Sequence, residues 1–215
     1  MYLSQIKLDM TKRETIIALS SLQRFHGAVA HAFEDYENCR PLWRIDTLRG
    51  ERILLVLGRD IPNLASIVNQ IGYLGQTDAA VIKYYRPFLE NIENGSSWNF
   101  RLTANPTVKR NGHRVPHITP EAQIKWLTDR ASKNGFDLNS ANIIGNKQHI
   151  IQKGGGSKTK SDLIEVNYDG VLTVTDKNLF VSALKNGIGH SKAYGMGMLT
   201  VMREKQENPE SLLRG

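Results

Sequence analysis

The chain has 215 residues, with 28 Lys and Arg against 21 Asp and Glu, so its formal net charge is +7 at pH 7. A hydrophobic fraction of 40% supplies enough apolar side chains for a packed core and argues against global disorder. The positive charge favours a polyanionic partner such as nucleic acid or an anionic membrane, although a basic protein without such a partner would have the same composition.

Cysteine content and hydropathy exclude several classes of protein. The single cysteine, Cys39, rules out a disulfide framework within the chain and zinc sites built from cysteine pairs. The N-terminal residues lack the pattern of a signal peptide, and no apolar stretch is long enough to span a bilayer. We therefore expect a cytoplasmic protein without a membrane partner.

Periodicity in the first 93 residues predicts alternating strands and helices. In chain order these are a strand over 2–8, a helix opened by a capping box at 11–14 and reaching Phe33, a short strand near 43–45, a strand over 51–57, a helix from Asn63 to about Ile71, and a strand over 82–88. The pair Ser20 and Ser21 is expected to weaken or bend the first helix.

The same order returns after a linker-like stretch at 93–97. It comprises a strand over 98–104, a helix begun by Thr119 and Pro120, strands within 143–151 and 163–174, a helix capped by Asp176, and a strand over 196–202. Strand–helix–strand order repeated twice is that of the split βαβ unit. We predict an α+β fold of two tandem ferredoxin-like (RRM-like) domains, residues 1–93 and 97–203, each an antiparallel sheet with helices on one face, followed by a polar tail at 204–215.

A glycine-rich motif, GIGHSKAYGMG, occupies residues 187–197. Glycine allows close approach of the backbone, and Lys192 adds a cation that suits phosphate. A dinucleotide-binding loop follows a strand and precedes a helix, whereas here the order is reversed, which argues against a Rossmann site. From the residues alone, a loop that simply packs against its own sheet is the favoured interpretation.

The motif closely resembles the glycine-rich loop of CRISPR repeat-processing endoribonucleases of the CasE type. Other segments fit that family in order along nearly the whole chain: MYLS at 1–4, FHGAVAHAF at 25–33, FRLTANP at 100–106, RVP at 114–116, QIKWL at 123–127 and GVLTV at 170–174. The resemblance implies tandem ferredoxin-like domains and cleavage of precursor RNA at the base of a CRISPR repeat stem-loop. It also implies that the protein needs neither a metal nor another cofactor and that it retains the product within the type I-E Cascade complex.

By this resemblance, His26 is the catalytic residue. RNA can be cleaved by attack of its own 2′-hydroxyl on the adjacent phosphate, without a metal, if one group takes or gives a proton near neutral pH. The expected products are a 2′,3′-cyclic phosphate and a 5′-hydroxyl, and whether His26 is base or acid stays open. His31 lies about 140° around the helix and is interpreted as structural. The family often has a tyrosine where this chain has Gln23, and Tyr194 or a lysine is a candidate replacement.

The remaining candidate site residues are basic side chains and loop glycines. The resemblance implies that Lys158 and Lys160 stabilise the reacting phosphate. Expected RNA contacts are Arg24, Arg101, the hairpin residues Lys109, Arg110 and Arg114, Lys153, and in the glycine motif Gly187, Gly189, Lys192, Gly195 and Gly197. For the lysine-rich loop and the hairpin, the alternative is an exposed, solvated segment.

Two other functions compete with the nuclease. A repeat-RNA-binding structural subunit with weak catalysis would fit the change at Gln23. A generic RNA-recognition domain would carry aromatic residues for stacking on the face of its sheet, but the aromatic fraction of 7% contains no clear pair of such motifs.

Overall fold

The structure, a computed structural model, describes residues 1–152 and 160–203 and contains two four-stranded antiparallel sheets. The first sheet has the order β2-β3-β1-β4 and the second the order β10-β5-β9-β8. The strands are β1 (Tyr2–Lys7), β2 (Leu42–Leu48), β3 (Glu51–Gly58), β4 (Ala80–Tyr84), β5 (Ser97–Ala104), β6 (Thr107–Arg110), β7 (His113–Pro116), β8 (Phe136–Gln152), β9 (Lys160–Val174) and β10 (Leu199–Arg203). Strands β6 and β7 form a separate two-stranded hairpin.

Seven helices and two 3₁₀ turns are found in the described ranges. The helices are α1 (Arg13–Leu19), α2 (Leu22–His31), α3 (Tyr36–Cys39), α4 (Leu64–Ile71), α5 (Arg86–Glu90), α6 (Pro120–Ala131) and α7 (Lys177–Asn186), and the 3₁₀ turns are Ser132–Asn134 and Lys192–Tyr194. In each sheet, the first and third strands of the unit lie in the centre and the second and fourth at the edges, which is ferredoxin-like order. The predicted fold class is therefore confirmed. No helix in the part of the chain that the structure describes is long and apolar enough to cross a bilayer.

Strand β3 explains how the two sheets are joined. Its five apolar residues at 53–57 are all buried, so buried and exposed side chains do not alternate along this part of the strand. Leu54 and Val56 belong to a hydrophobic cluster with residues of α2 and α4, whereas Ile53, Leu55 and Leu57 belong to a cluster that includes the core of the second sheet. Both faces of the first sheet are thus covered here, and the division into domains 1–93 and 97–203 stays a prediction.

A buried arginine links the same two sheets. Arg44 on β2 is 2% exposed and pairs with Asp46 at 2.6 Å. Its guanidinium also donates to the carbonyl oxygens of Arg101 (3.0 Å) and Met198 (2.8 Å) and to the Thr200 hydroxyl (2.7 Å). These acceptors satisfy a charge whose burial would otherwise be strongly unfavourable.

Three of the predicted helix starts are confirmed by their caps. The side chains of Asn63, Thr119 and Asp176 each accept a hydrogen bond from the first turn of α4, α6 and α7. The capping box predicted at 11–14 is wrong. Helix α1 begins after Lys12 without a side-chain cap, and the Thr11 hydroxyl donates to Asp9 instead.

Other predictions required correction at element boundaries. The helix expected to reach Phe33 is two helices, because the chain breaks at Ser20 and Ser21. The strand predicted over 82–88 ends at Tyr84, and Pro87 then lies in the first turn of α5, where proline is compatible with a helix. Strand β8 starts at Phe136, earlier than predicted, and β10 starts at Leu199, later than predicted. The polar tail at 204–215 lies outside the described residues.

Candidate active site

Helix α2 places His26 at the boundary between core and solvent. Phe25 and Val29 are one turn apart and completely buried, so they fix the face of α2 that packs on the sheet. His26 lies next to this face and is half-buried. Its imidazole is therefore held by packing and still reaches the surface, as a proton-transfer group requires.

A tyrosine from the following turn contacts His26 directly. The Tyr36 hydroxyl lies 3.2 Å from His26 Nδ1, and the two rings meet edge to face with centroids 5.4 Å apart. Partial burial, and secondarily the nearby Glu37 carboxylate, raise the pKa of the Tyr36 phenol. Like any phenol, Tyr36 keeps its proton at neutral pH, and its hydroxyl can act as either donor or acceptor toward the imidazole.

The glycine motif brings a second tyrosine to His26. The 3₁₀ turn Lys192–Tyr194 lies within the motif, and the Tyr194 ring centroid is 6.3 Å from that of His26. The Trp43 indole donates to the Ala193 carbonyl oxygen at 3.2 Å, and the Gly197 amide donates to the Thr103 carbonyl oxygen. The loop is thus packed against both sheets, and not only against its own sheet as the simpler interpretation expected.

One glycine shows why the loop needs this residue type. Gly195 has φ +77°, and a Cβ built there would lie 2.7 Å from Cζ3 of the buried Trp43. The other predicted loop glycines also have positive φ, namely Gly187, Gly189 and Gly197. Glycine therefore allows the loop to lie against the first sheet, and contact of these glycines with RNA stays a prediction.

Cations gather on the outer side of this loop. Burial, and then the charges of Arg114, Arg130 and Lys192, lower the pKa of His190. Lys192 is itself half-buried, and burial lowers its pKa. Positive side chains from β7, α6 and the glycine motif are thus close enough to influence one imidazole, an arrangement that suits a phosphate group.

The basic hairpin is formed as predicted. Strands β6 and β7 are joined by Asn111 and Gly112, both with positive φ (47° and 81°), as in a type I′ turn. Lys109, Arg110 and Arg114 are exposed on this hairpin. Their binding to RNA stays a prediction.

The lysine-rich segment falls mostly beyond what the structure describes. Lys153 and Lys158 lie outside the described residues, and Lys160 begins β9 with its side chain outside them as well. The long strands β8 and β9 lead toward this segment from a cleft of about 110 Å³ that also contains Tyr194. His149 Nε2 and a carboxylate oxygen of Glu165 lie 2.8 Å apart in that cleft, a contact that the sequence did not predict.

The two remaining arginines occupy different places. Arg24 is exposed on α2, two residues before His26. Arg101 lines a cleft between the two sheets together with Asp46 and Thr103. Among residues 1–152 and 160–203, no group of three or more His, Cys, Asp or Glu side chains is arranged to hold a metal ion.

A family model described as "CRISPR associated protein" matches residues 1–203. The chain belongs to this family. The resemblance found in the sequence motifs is thereby confirmed, since the match spans both sheets and the loop that contacts His26.

Curated relatives of this CRISPR-associated protein include two from bacteria. It is 27% identical over 216 residues to the CRISPR-associated endoribonuclease Cse3 of Thermus thermophilus, covering 94% of this chain and 99% of the relative. It is 29% identical over 127 residues to the CRISPR system Cascade subunit CasE of Escherichia coli, covering 59% of this chain and 60% of the relative.

Solved structures share the fold of this CRISPR-associated protein. Cse3 from Thermus thermophilus, bound to an RNA representing a pre-cleavage complex, aligns with a TM-score of 0.78 and 22% identity over 94% of this chain and 98% of that chain. Cas6e from Escherichia coli aligns with a TM-score of 0.64 and 21% identity over 95% of this chain and its full length. The tandem ferredoxin-like arrangement is common to them.

Sequence reasoning did not find Tyr36 as a site residue. It lies in α3, a one-turn helix too short to produce a periodic pattern. The available signal was local, because Asp35 directly before it accepts from the amide of Asn38 and so marks a helix start.

Proposed function

We propose that this CRISPR-associated protein is an endoribonuclease that cleaves CRISPR precursor RNA at the base of the repeat stem-loop, without a metal. The observation that carries the proposal is the half-buried His26 imidazole, which contacts Tyr36 on one element and Tyr194 on the glycine motif. The endoribonuclease Cse3, which aligns over nearly its full length, supports the same activity for this chain.

In the proposed reaction the RNA supplies its own nucleophile. The 2′-oxygen forms a bond to the adjacent phosphorus, the bond from phosphorus to the 5′-oxygen breaks, and a 2′,3′-cyclic phosphate and a 5′-hydroxyl result. One proton leaves the 2′-hydroxyl and one is added to the 5′-oxygen. His26 transfers one of these two protons, since imidazole can exchange a proton at neutral pH.

Positive charge is required around the reacting phosphate, because negative charge builds on its oxygens in the transition state. We propose that Lys158 and Lys160 supply it at the cleavage site. The exposed hairpin residues Lys109, Arg110 and Arg114 would hold the RNA stem, and Lys192 with Arg24, Arg101 and Lys153 would bind its backbone. The named Cascade subunit CasE supports retention of the product RNA in a Cascade assembly.

The test uses end-labelled repeat RNA from the CRISPR array of the source genome, with protein in excess and EDTA present. Wild-type protein is expected to cut at one site and leave a 2′,3′-cyclic phosphate. His26→Ala should lower the rate at least about 100-fold, as removal of a proton-transfer group does, while the dissociation constant changes less than about threefold. The matched control is His31→Ala, because His31 is exposed on the same helix and binds the Gly27 carbonyl oxygen.

Each other result has a defined meaning. Equal cutting by His26→Ala would remove His26 from the mechanism, and loss of cutting in EDTA would contradict metal independence. A 2′-deoxy nucleotide at the scissile position should stop cleavage of bound RNA. Tight binding by the wild-type protein without any cutting would instead support the alternative, a repeat-RNA-binding structural subunit.

A further inference from the structure

We infer that Tyr36 is a positioning residue for the cleavage reaction, holding the His26 imidazole by a hydrogen bond between its hydroxyl and Nδ1. The inference rests on the proposed function. It assigns Tyr36 no contact with RNA and no step at the phosphate. Its effect is exerted through His26.

Two contacts fix the histidine ring from the same side. The hydroxyl of Tyr36 is 3.2 Å from Nδ1, and its ring stands at 72° to the imidazole, an edge-to-face arrangement. A hydrogen bond alone leaves the ring some freedom of rotation, and a ring contact alone does not distinguish the two nitrogens. Together they select Nδ1 as the nitrogen that faces the protein and leave Nε2 for the RNA.

The phenol is itself held by the fold. Asp35 accepts hydrogen bonds from the backbone amide and the side-chain amide of Asn38, and the Arg40 amide donates to the Tyr36 carbonyl oxygen at 2.9 Å. Cys39 at the end of the same turn is 5% exposed and packs in the hydrophobic cluster that contains residues of α2 and α4. Tyr36 is therefore in place before any RNA binds.

The chemistry of a neutral phenol suits this position. A phenol is protonated at neutral pH, so the Tyr36 hydroxyl can donate to Nδ1 when that nitrogen carries no hydrogen, or accept from it when it does. The bond therefore persists when the imidazole gains or loses a proton during the reaction. This holds whichever role, base or acid, His26 performs.

Tyr36→Phe removes the hydroxyl and keeps the ring. We expect the single-turnover cleavage rate to fall about tenfold, the effect of losing one hydrogen bond to a group that carries charge, with the dissociation constant for repeat RNA within about twofold of wild type. In a His26→Ala background the same substitution should leave the residual rate unchanged, because it acts through His26. The matched control is Tyr84→Phe, since Tyr84 is 53% exposed on β4.

A second readout needs no cleavage. The ¹⁵N resonances of the His26 ring in the free protein should shift at Nδ1 more than at Nε2 in Tyr36→Phe, and remain unchanged in Tyr84→Phe. Wild-type cleavage by Tyr36→Phe, an unmoved Nδ1 resonance, or an equal loss of rate in the His26→Ala background would each overturn the positioning role. If wild-type protein cuts RNA, His26→Ala slows cutting at least about 100-fold and Tyr36→Phe cuts at the wild-type rate, this inference fails while the proposed function stands.

Discussion

At the scale of single residues, the site depends on a glycine, which has no Cβ atom. Gly195 lies against the six-membered ring of Trp43, and Trp43 is 1% exposed, so it has no free space into which to move. Because the Lys192–Tyr194 turn directly precedes Gly195, this close approach determines where the Tyr194 ring meets His26. A missing Cβ on the glycine motif thus contributes to the geometry at the imidazole.

Replacing Gly195 with alanine tests this close packing. We expect a loss of about 1 kcal/mol from the positive φ and about 1–3 kcal/mol more from the overlap with Trp43. Gly75 is the matched control, since it has the same φ of +77° but nothing within 4 Å of a built Cβ. Urea unfolding curves should show a clearly larger decrease in stability for Gly195→Ala than for Gly75→Ala. Equal decreases would show that the Trp43 side chain can move aside at little energetic cost.

Individual residues also show which parts of the site could be predicted from the sequence. His26 and Lys192 were predicted because they lie in motifs, and motifs are contiguous. Tyr36 was missed because its role comes from a turn between α2 and α3 that folds it back onto His26, ten residues earlier. The pair His149 and Glu165 was missed for a related reason, since only the pairing of β8 with β9 brings them together.

At the scale of elements, the β6–β7 hairpin is built to protrude. Its strands have four residues each, pair only with each other among the described strands, and present basic side chains to solvent. An element with so little buried surface contributes little to global stability. Its exposed basic side chains are therefore not needed for folding and are available to bind a ligand.

Changing Lys109, Arg110 and Arg114 together to glutamine should weaken binding to repeat RNA without unfolding the protein. If all three contact phosphates, the slope of log affinity against log salt should become shallower by about 2–3. A control triple change on exposed lysines outside the hairpin, Lys125, Lys133 and Lys185, should change the slope less. An unchanged slope in the hairpin variant, measured by filter binding across a salt series, would place the RNA elsewhere.

Element prediction worked where the signal is local and failed where it is not. The caps Asn63, Thr119 and Asp176 each precede a helix because the capping side chain and the amides it satisfies are neighbours in sequence. Thr11 carries the same signature but bonds to Asp9, a competing partner two residues away. The segment at 82–88 was misassigned because it is too short to show a helical period and because Pro87, interpreted as the end of a strand, lies in the first turn of α5.

At the scale of the whole molecule, one guanidinium connects the sheets. Arg44 from the first sheet bonds to the Arg101 and Met198 carbonyl oxygens beside the second sheet, and its ion pair with Asp46 is almost fully buried. This role could not be predicted from the sequence, because a charged residue inside a strand usually marks an exposed face. Its partners are more than 50 residues away in sequence, apart from Asp46.

Arg44→Met should destabilise the protein by about 3–5 kcal/mol, because Asp46 is left buried without its partner. The double variant with Asp46→Leu should be more stable than Arg44→Met alone, since the stranded carboxylate is then gone. Arg86→Met is the control, because the Arg86–Glu90 pair has a similar length of 2.7 Å but lies in solvent, so its loss should change stability much less. The stability of each variant is measured from its denaturant midpoint. If the effects of Arg44→Met and Asp46→Leu simply add in the double variant, this account of Arg44 is contradicted.

The double burial of β3 has a consequence for how nucleic acid can approach. Single-domain readers of unpaired bases use the open side of a sheet as a stacking platform. Over Ile53, Leu55 and Leu57 that platform is occupied by the neighbouring half of the chain. We therefore expect RNA to bind mainly along the rim of the two sheets, where the His26 imidazole and the exposed basic side chains of the β6–β7 hairpin lie.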